Sequence, residues 1–477
     1  MSGRYFPILP LLFLQIFFGL AAAQQLPSPS FSQILLSRST TIKNNWKKNF
    51  VLPQPGHAVA HFQITSDTDW EDPQLPAVLL EVTVDQRLAS HLVTYMGRPI
   101  SEKAGHIYSV HLGFLAAKQH ELMLQRADSS KAAIKLQHLR LDVYYSNHPF
   151  YPVLAHAPII FGRSHRHVDT SNAHAKWLNP DMRYSDVPLL MAYESRPFVN
   201  KNIKESGNGL SSGKELKYTV FFSNENGGTP PGLLHLWGRY TDIEWVYRVE
   251  LDARGKTLRT FFQGRNHQEF PYFGGYENAQ PALQVATLNN LFSDSLTTQL
   301  RFALPPFFAI PSDSMRESVM LEAPWTWRIS AKEARREQRL NPQPTDATRI
   351  ADLRCYLYIQ FIAEPETLGT KAGGYFIAKF KNDPNEYASN LGNHLLTIYS
   401  KKFIARQTAV PLPADANADS LQRLIFVADS SGGSLLLKNV VRLFSLDDID
   451  LPREWKPSWR GSLRLAPGQR AVLFENN

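Results

Sequence analysis

The residues most able to do chemistry cluster between Asp242 and Glu269. In a β-strand, side chains two apart share a face. Read as a strand, 242–251 puts Ile243, Trp245, Tyr247, Val249 and Leu251 on one apolar side and Asp242, Glu244, Val246 and Arg248 on the other. The turn-forming run Asp252-Ala253-Arg254-Gly255-Lys256 returns the chain through 258–263 as a hairpin. Past Gly264, the run Arg265-Asn266-His267-Gln268-Glu269 comes back level with the start of the first strand. His267 and Glu269 are therefore expected close to Asp242 and Glu244.

Such a cluster supports three chemistries. Paired carboxylates serve as acid and base in glycoside cleavage, the surroundings deciding which keeps its proton. Asp, Glu and Asn oxygens hold calcium. Asp, Glu and His together hold zinc or another transition metal. Asp242, Glu244 and His267 are the candidate catalytic residues. Glu194, Asn224, Glu225 and Glu269 are the polar groups that would complete a ligand site, with Trp237 and Tyr240 as rings beside it. No motif requires a cofactor, and calcium or zinc is what these residue types would take. The competing structural reading is that alternating charges on a strand face form cross-strand ion pairs and do nothing more. A second group, His156, His165, His167 and His174, has no companion Cys or carboxylate at a fixed spacing. The loop Asn224-Glu225-Asn226-Gly227-Gly228-Thr229 lacks the Gly-Lys-Ser/Thr ending of a phosphate loop. No Gly-x-Ser-x-Gly elbow, His-Glu-x-x-His pair or dinucleotide fingerprint occurs.

The elements that must position these groups read as β. Hydrophobic residues make up 43% of 477, enough for proper cores, and 12% aromatics with 32 prolines favour strands and irregular loops over helical bundles. The N-terminus has one basic residue, Arg4, an apolar run over 6–20, and then Ala21-Ala22-Ala23-Gln24. That order defines a secretory signal. The chain is expected to be secreted or periplasmic, with cleavage after Ala23 and no membrane span afterwards. The single cysteine, Cys355, excludes an intramolecular disulfide, so stability must come from burial. Cys355 is expected on a strand face with Leu357, Ile359 and Phe361, as a small hydrophobe. A net charge of +8 is mild for this length, and no basic block with interleaved aromatics argues for nucleic acid.

Organisation follows from composition. The expected order is a signal over 1–23, a polar leader over 24–50, a β-sandwich over 51–148 and a central β-rich domain over 149–320. A helical connector over 321–350 and a C-terminal β-sandwich over 351–477 complete it. The fold class is thus mainly β, two sandwiches flanking a larger central domain with few helices. The connector helix is expected to start at the capping box Ser330-Ala331-Lys332-Glu333 and run to Leu340 on the surface. A short helix is expected over 386–395, and Ser430-Ser431-Gly432-Gly433-Ser434 reads as a hairpin turn.

Two resemblances add to this reading. The run from Leu112-Gly113 to His120-Glu121-Leu122-Met123-Leu124 resembles accessory sandwiches of secreted glycan-active proteins, over a fifth of the chain. In the middle third, Ala157-Pro158-Ile159-Ile160, then Asp242-Ile243-Glu244-Trp245, then His267 resemble the motif order of the vacuolar-protein-sorting sixty-two-like family. In that family the acidic and Trp residues are contiguous, whereas here Ile243 splits the acids and Trp245 follows them. The middle also resembles an uncharacterised family of exported bacterial β-rich proteins. These likenesses imply a β-rich central domain and no defined activity. The expected function is binding of carbohydrate or a cell-envelope polymer through an acidic, aromatic cleft. The alternatives are a secreted hydrolase using Asp242, Glu244 and His267, or a structural envelope protein without a pocket.

Overall fold

The computed structural model describes residues 27–97, 105–163, 182–199, 212–224, 231–295, 297–312, 314–337, 340–342, 344–345, 350–455 and 458–476. The chain is mainly β. The expected signal segment lies outside the described residues. Among those residues, no helix is long and apolar enough to cross a membrane.

The N-terminal unit is a sandwich of two sheets. One orders the strands Phe31–Leu36, Ile134–Tyr145, Gly56–Ser66 and His106–Leu115. The other orders Asn45–Val51, Gln119–Arg126, Leu79–Val84 and Arg87–Val93. The stretch expected to be a polar leader therefore supplies strands of this sandwich. Alternation explains how a polar segment does so: Trp46 and Phe50 pack toward the core while Asn45, Lys47 and Asn49 between and beside them face water.

The central unit has a six-stranded sheet in the order Glu269–Pro271, Thr257–Gln263, Ile243–Leu251, Ser212–Phe222, Pro188–Val199, Phe308–Ala309. A smaller sheet is built on Gln280–Val285, which pairs in parallel with Ile159–Phe161. The expected hairpin is present, with Tyr247 opposite Phe262 and Arg248 opposite Phe261.

The C-terminal unit is again two sheets. The strands Leu421–Ala428 and Leu435–Leu446 lie in different sheets, so the Ser-Gly turn between them crosses the sandwich rather than closing a hairpin. Residues 386–388 form a strand and not a helix, because they extend the edge of Ala372–Phe380. Alternation along Tyr356–Pro365 serves two cores. Leu357, Ile359 and Phe361 fill the C-terminal sandwich, while Tyr356 and Tyr358 turn toward the rest of the molecule. Cys355 sits in the turn just before that strand and is half-buried. Burial pushes its thiol up, away from the reactive thiolate.

The connector helix spans Trp325–Arg336, and Ser330 and Glu333 lie inside it, buried, rather than at its start. Its N-terminus follows Pro324, and the first turn carries Trp327 into the core, 4.8 Å from the Tyr358 ring centroid. Full burial of such a side chain contributes about 3 kcal/mol. A shorter helix, Pro231–Trp237, docks on Ile404–Pro411 of the C-terminal unit. His235 Nδ1 donates to Ala409 O at 2.9 Å, and Gln407 Nε2 donates to Gly238 O. Gly238 ends the helix at φ +58°, and a Cβ there would lie 2.7 Å from Gln407 Cγ and 2.8 Å from Thr408 N. Gly238→Ala is therefore expected to destabilise the protein by about 2 kcal/mol, read as a lower midpoint in urea unfolding.

Candidate functional site

Pairing decides where the expected site residues point. Tyr218 faces Tyr247 and Thr219 faces Trp245, so Val246 is an extra residue, a β-bulge. The bulge resets the alternation expected for this strand. Trp245 and Arg248, three apart, share the outer face: Lys217 Nζ lies 5.3 Å from the Trp245 ring centroid, and Arg248 binds Glu215 on the same neighbouring strand. Tyr247 turns inward to Tyr218 and Tyr272. Burial raises both Tyr247 and Tyr272 above the ordinary tyrosine value, which keeps their hydroxyls protonated. Val246, expected on the polar side, is fully buried.

Glu244 and His267 do come together. Glu244 Oε1 is 3.5 Å from His267 Nδ1. The Gln263 amide donates to Glu244 Oε2 and lies 2.8 Å from His267 Nδ1. Donation to both leaves Nδ1 as an acceptor, so the neutral imidazole carries its proton on Nε2. That nitrogen lies 3.3 Å from Asn289 Nδ2, so a half-turn of the Asn289 carboxamide is needed to present its oxygen to the Nε2 proton. Glu244 is buried, whereas the imidazole is 52% exposed. Asn266 and His267 both hold left-handed backbone, at φ +58° and +56°. Non-glycine residues in that region mark strain held by surrounding structure.

Asp242 belongs to an adjoining buried network. It accepts from Asn290 Nδ2 at 2.8 Å. Asn290 Oδ1 accepts from Arg163 Nη1, also at 2.8 Å, and Arg163 pairs with Asp186 inside the protein. Asn224 donates to Glu337 Oε1 at 2.7 Å, and Tyr240 OH donates to Glu337 Oε2 at 2.9 Å. Neighbouring residues Asn289 and Asn290 thus join the half-open group to the buried one. Asp242, Asn224 and Tyr240 are closed to a ligand by burial.

The remaining candidates lie elsewhere. Glu269 turns to Arg248, which also binds Glu215 and Glu250. For these residues the cross-strand ion-pair reading holds. Glu194 is buried against Arg196 and Lys217. Trp237 is half-buried under Arg239, whose guanidinium carbon lies 4.9 Å from the ring centroid. Glu225, His165, His167 and His174 lie outside the described residues. His156 is described, and it packs near His57 at the boundary with the N-terminal unit. Among the described residues, no group of three or more His, Cys, Asp or Glu side chains is placed to hold a metal ion. The Glu244–His267 pair lacks the third ligand expected of Glu269.

The exposed rings that follow this group in the chain are others than those expected. Phe270, on the sheet-edge strand, is 39% exposed, and Phe273 is 86% exposed. The Phe270 ring covers Gly264, at the foot of the His267 turn: a Cβ on Gly264 would lie 2.7 Å from that ring. Phe273 N donates to Asp294 Oδ2 at 2.9 Å, which fixes the loop carrying the open ring. Gln263, Asn289, Phe270 and Phe273 escape a reading by spacing alone. The usable signal is the density of aromatics in Phe270-Pro271-Tyr272-Phe273-Gly274-Gly275-Tyr276.

No family model and no curated protein matches the chain. Solved structures overlap parts of it. One is the CBM36-1 domain of a multidomain xylanase from the hindgut metagenome of Trinervitermes trinervoides, at 11% identity and TM-score 0.19, covering 24% of this chain and 99% of that one. Another is the C-terminal CBM6 of the laminarinase LamC from Zobellia galactanivorans, at 10% identity and TM-score 0.16, covering 24% and 93%. A third is a family GH115 4-O-methyl-α-glucuronidase with specificity for decorated arabinogalactans, at 13% identity and TM-score 0.19. It overlaps 30% of this chain and 20% of its own. At these TM-scores the overlaps carry no argument about function.

Proposed function

We propose that this is an exported protein that binds carbohydrate, as found in cell-envelope polymers, at the edge of its central sheet. The observation that carries the proposal is the hydrogen-bonded group Glu244, Gln263, His267 and Asn289 beside the half-open ring of Phe270, with the open ring of Phe273 three residues further along the chain. Sugars present hydroxyls that both donate and accept, together with apolar C–H faces. The exposed His267 imidazole and the Asn289 carboxamide match the hydroxyls, and the buried Glu244 and Gln263 hold the imidazole in place. Exposed rings match the faces, and a few fixed polar groups against aromatic surface are the usual composition of a ligand site. The signal-like N-terminus supports an exported location.

The test is a glycan screen followed by titration calorimetry. Phe273→Ala is expected to weaken binding about tenfold without changing the melting temperature, since its side chain packs on little. Glu244→Gln is expected to weaken it by a similar factor. Retention of no glycan, or full binding by both variants, rejects the proposal.

A second reading, hydrolysis, is favoured by one observation: the left-handed backbone at Asn266 and His267, which presents the imidazole beside a carboxylate. It requires reducing-end release from a bound glycan that His267→Asn abolishes. Binding without release leaves the first reading alone.

A further inference from the structure

The N-terminal sandwich carries a cleft of about 570 Å³ between the 41–45 turn and the 125–133 loop. Its walls are held from within. Arg126 Nη2 donates to the carbonyls of Ser130 and Ala132, each at 2.7 Å. Asp128 accepts from Leu79 N at 2.6 Å and from Ser130 N at 3.1 Å. Arg126 N donates to Asn44 O at 3.0 Å, which ties one wall to the other. The one carboxylate lining the cleft is thus committed to holding the loop.

Five further lining side chains are uncommitted. Among the described residues, Lys43 and Lys131 have no ion-pair partner, and the side chains of Asn44, Asn45 and Gln125 make no hydrogen bond. Two ammonium groups and three carboxamides therefore line one pre-built concavity. We propose that this cleft is a second binding site, for an acidic saccharide. A uronate carboxylate or sugar sulfate sits between Lys43 and Lys131, and ring hydroxyls pair with the carboxamides. The positive balance selects an anion. Carboxamides, which donate and accept at once, suit hydroxyls. No aromatic side chain lines the cleft, so a nucleobase finds no stacking surface. The volume falls in the usual range for small-molecule sites. The site lies in a different unit from the Phe273 edge and does not depend on it.

Calorimetry of the full chain with α-1,4-trigalacturonate in low-salt buffer is the test. The double variant Lys43→Gln, Lys131→Gln is expected to bind at least about tenfold more weakly. Raised salt is expected to weaken the wild type and not the variant. Both substitutions fall on exposed side chains, so an unchanged melting temperature is the control for folding. Phe273→Ala is expected to bind trigalacturonate as the wild type does, which separates this site from the first. Uncharged maltotriose is expected to produce no binding that the double variant removes. Undetectable trigalacturonate binding, an unchanged double variant, or loss of binding in Phe273→Ala overturns the proposal. Displacement of trigalacturonate by a short oligothymidylate at lower concentration also overturns it, in favour of a nucleic-acid site.

Discussion

Replacing Glu333 by alanine is expected to cost about 4 kcal/mol of stability. The side chain is fully buried and accepts three hydrogen bonds. Trp70 Nε1 donates at 2.9 Å, Ser185 Oγ at 2.8 Å and the Asp186 amide at 3.0 Å. Removing the acceptor leaves three buried donors without a partner, at roughly 1–3 kcal/mol each before relaxation. Glu333→Gln keeps the volume and one acceptor oxygen, so its loss is expected to be smaller. Urea unfolding checks both, and a loss below about 1 kcal/mol in Glu333→Ala contradicts the role. The position matters because this helix joins all three units. Lys332 binds Asp69 at 2.5 Å, and Arg336 lies over the Trp70 ring, both in the N-terminal unit. Arg335 binds Asp450 of the C-terminal unit at 2.6 Å. Glu333 reaches the start of the central unit through Ser185 and Asp186.

Acidification from pH 7 to pH 4 is expected to remove several kcal/mol more. The boundary between the N-terminal and central units holds neutral, buried histidines. Gln280 Nε2 donates to Ala157 O at 3.0 Å, which fixes the amide's orientation, and it also lies 3.1 Å from His111 Nδ1. His111 therefore accepts at Nδ1 and donates from Nε2 to His57 Nδ1 at 3.1 Å. A proton added to His111 would face a donor. Burial, then His156, lowers His57 from 6.5 to about 4. Burial among the rings of Tyr95, Tyr108 and Trp325 lowers His106 from 6.5 to about 3. Burial lowers His91 as well, packed against Arg301 of the central unit. The folded state binds these protons less readily than the unfolded chain. Their stabilisation is thus complete above about pH 6.5 and is lost as pH falls toward 4 and 3. For His57 alone the loss is about 3 kcal/mol. Urea midpoints measured across this range give the slope. His106 has no side-chain hydrogen bond among the described residues. His106→Phe therefore keeps the ring packing, and it is expected to flatten the slope while leaving stability at pH 7 close to wild type. An equal slope in that variant contradicts the assignment.

Half of the candidate site is legible in the chain itself. Counting along a hairpin brings Glu244 and His267 together, and Ile243–Leu251 pairs with Thr257–Gln263 as that count requires. The same count misplaces Glu269. The bulge at Val246 turns Arg248 outward, and Arg248 captures Glu269 at 2.7 Å. Asp242 is misplaced for another reason. Its partner Asn290 comes from a loop 48 residues away that no local pattern links to it. Gln263 and Asn289 are carboxamides, whose roles depend wholly on what lies opposite.

What the sequence by itself determined is local: β class, strand periods, the 252–256 turn and the absence of any intramolecular disulfide. Period-two alternation and turn residues act over a few positions, so they are written in the chain directly. The tertiary structure alone decided which face each strand buries and which polar groups leave water. The helix Trp325–Arg336 shows the difference. Its charged residues read as a surface connector, but they are the ion pairs and acceptors that fasten three units. A charge in sequence looks the same whether its partner is water or a side chain 263 residues away, as Trp70 is from Glu333. Only the fold brings that partner within hydrogen-bond reach and makes burial of the carboxylate favourable.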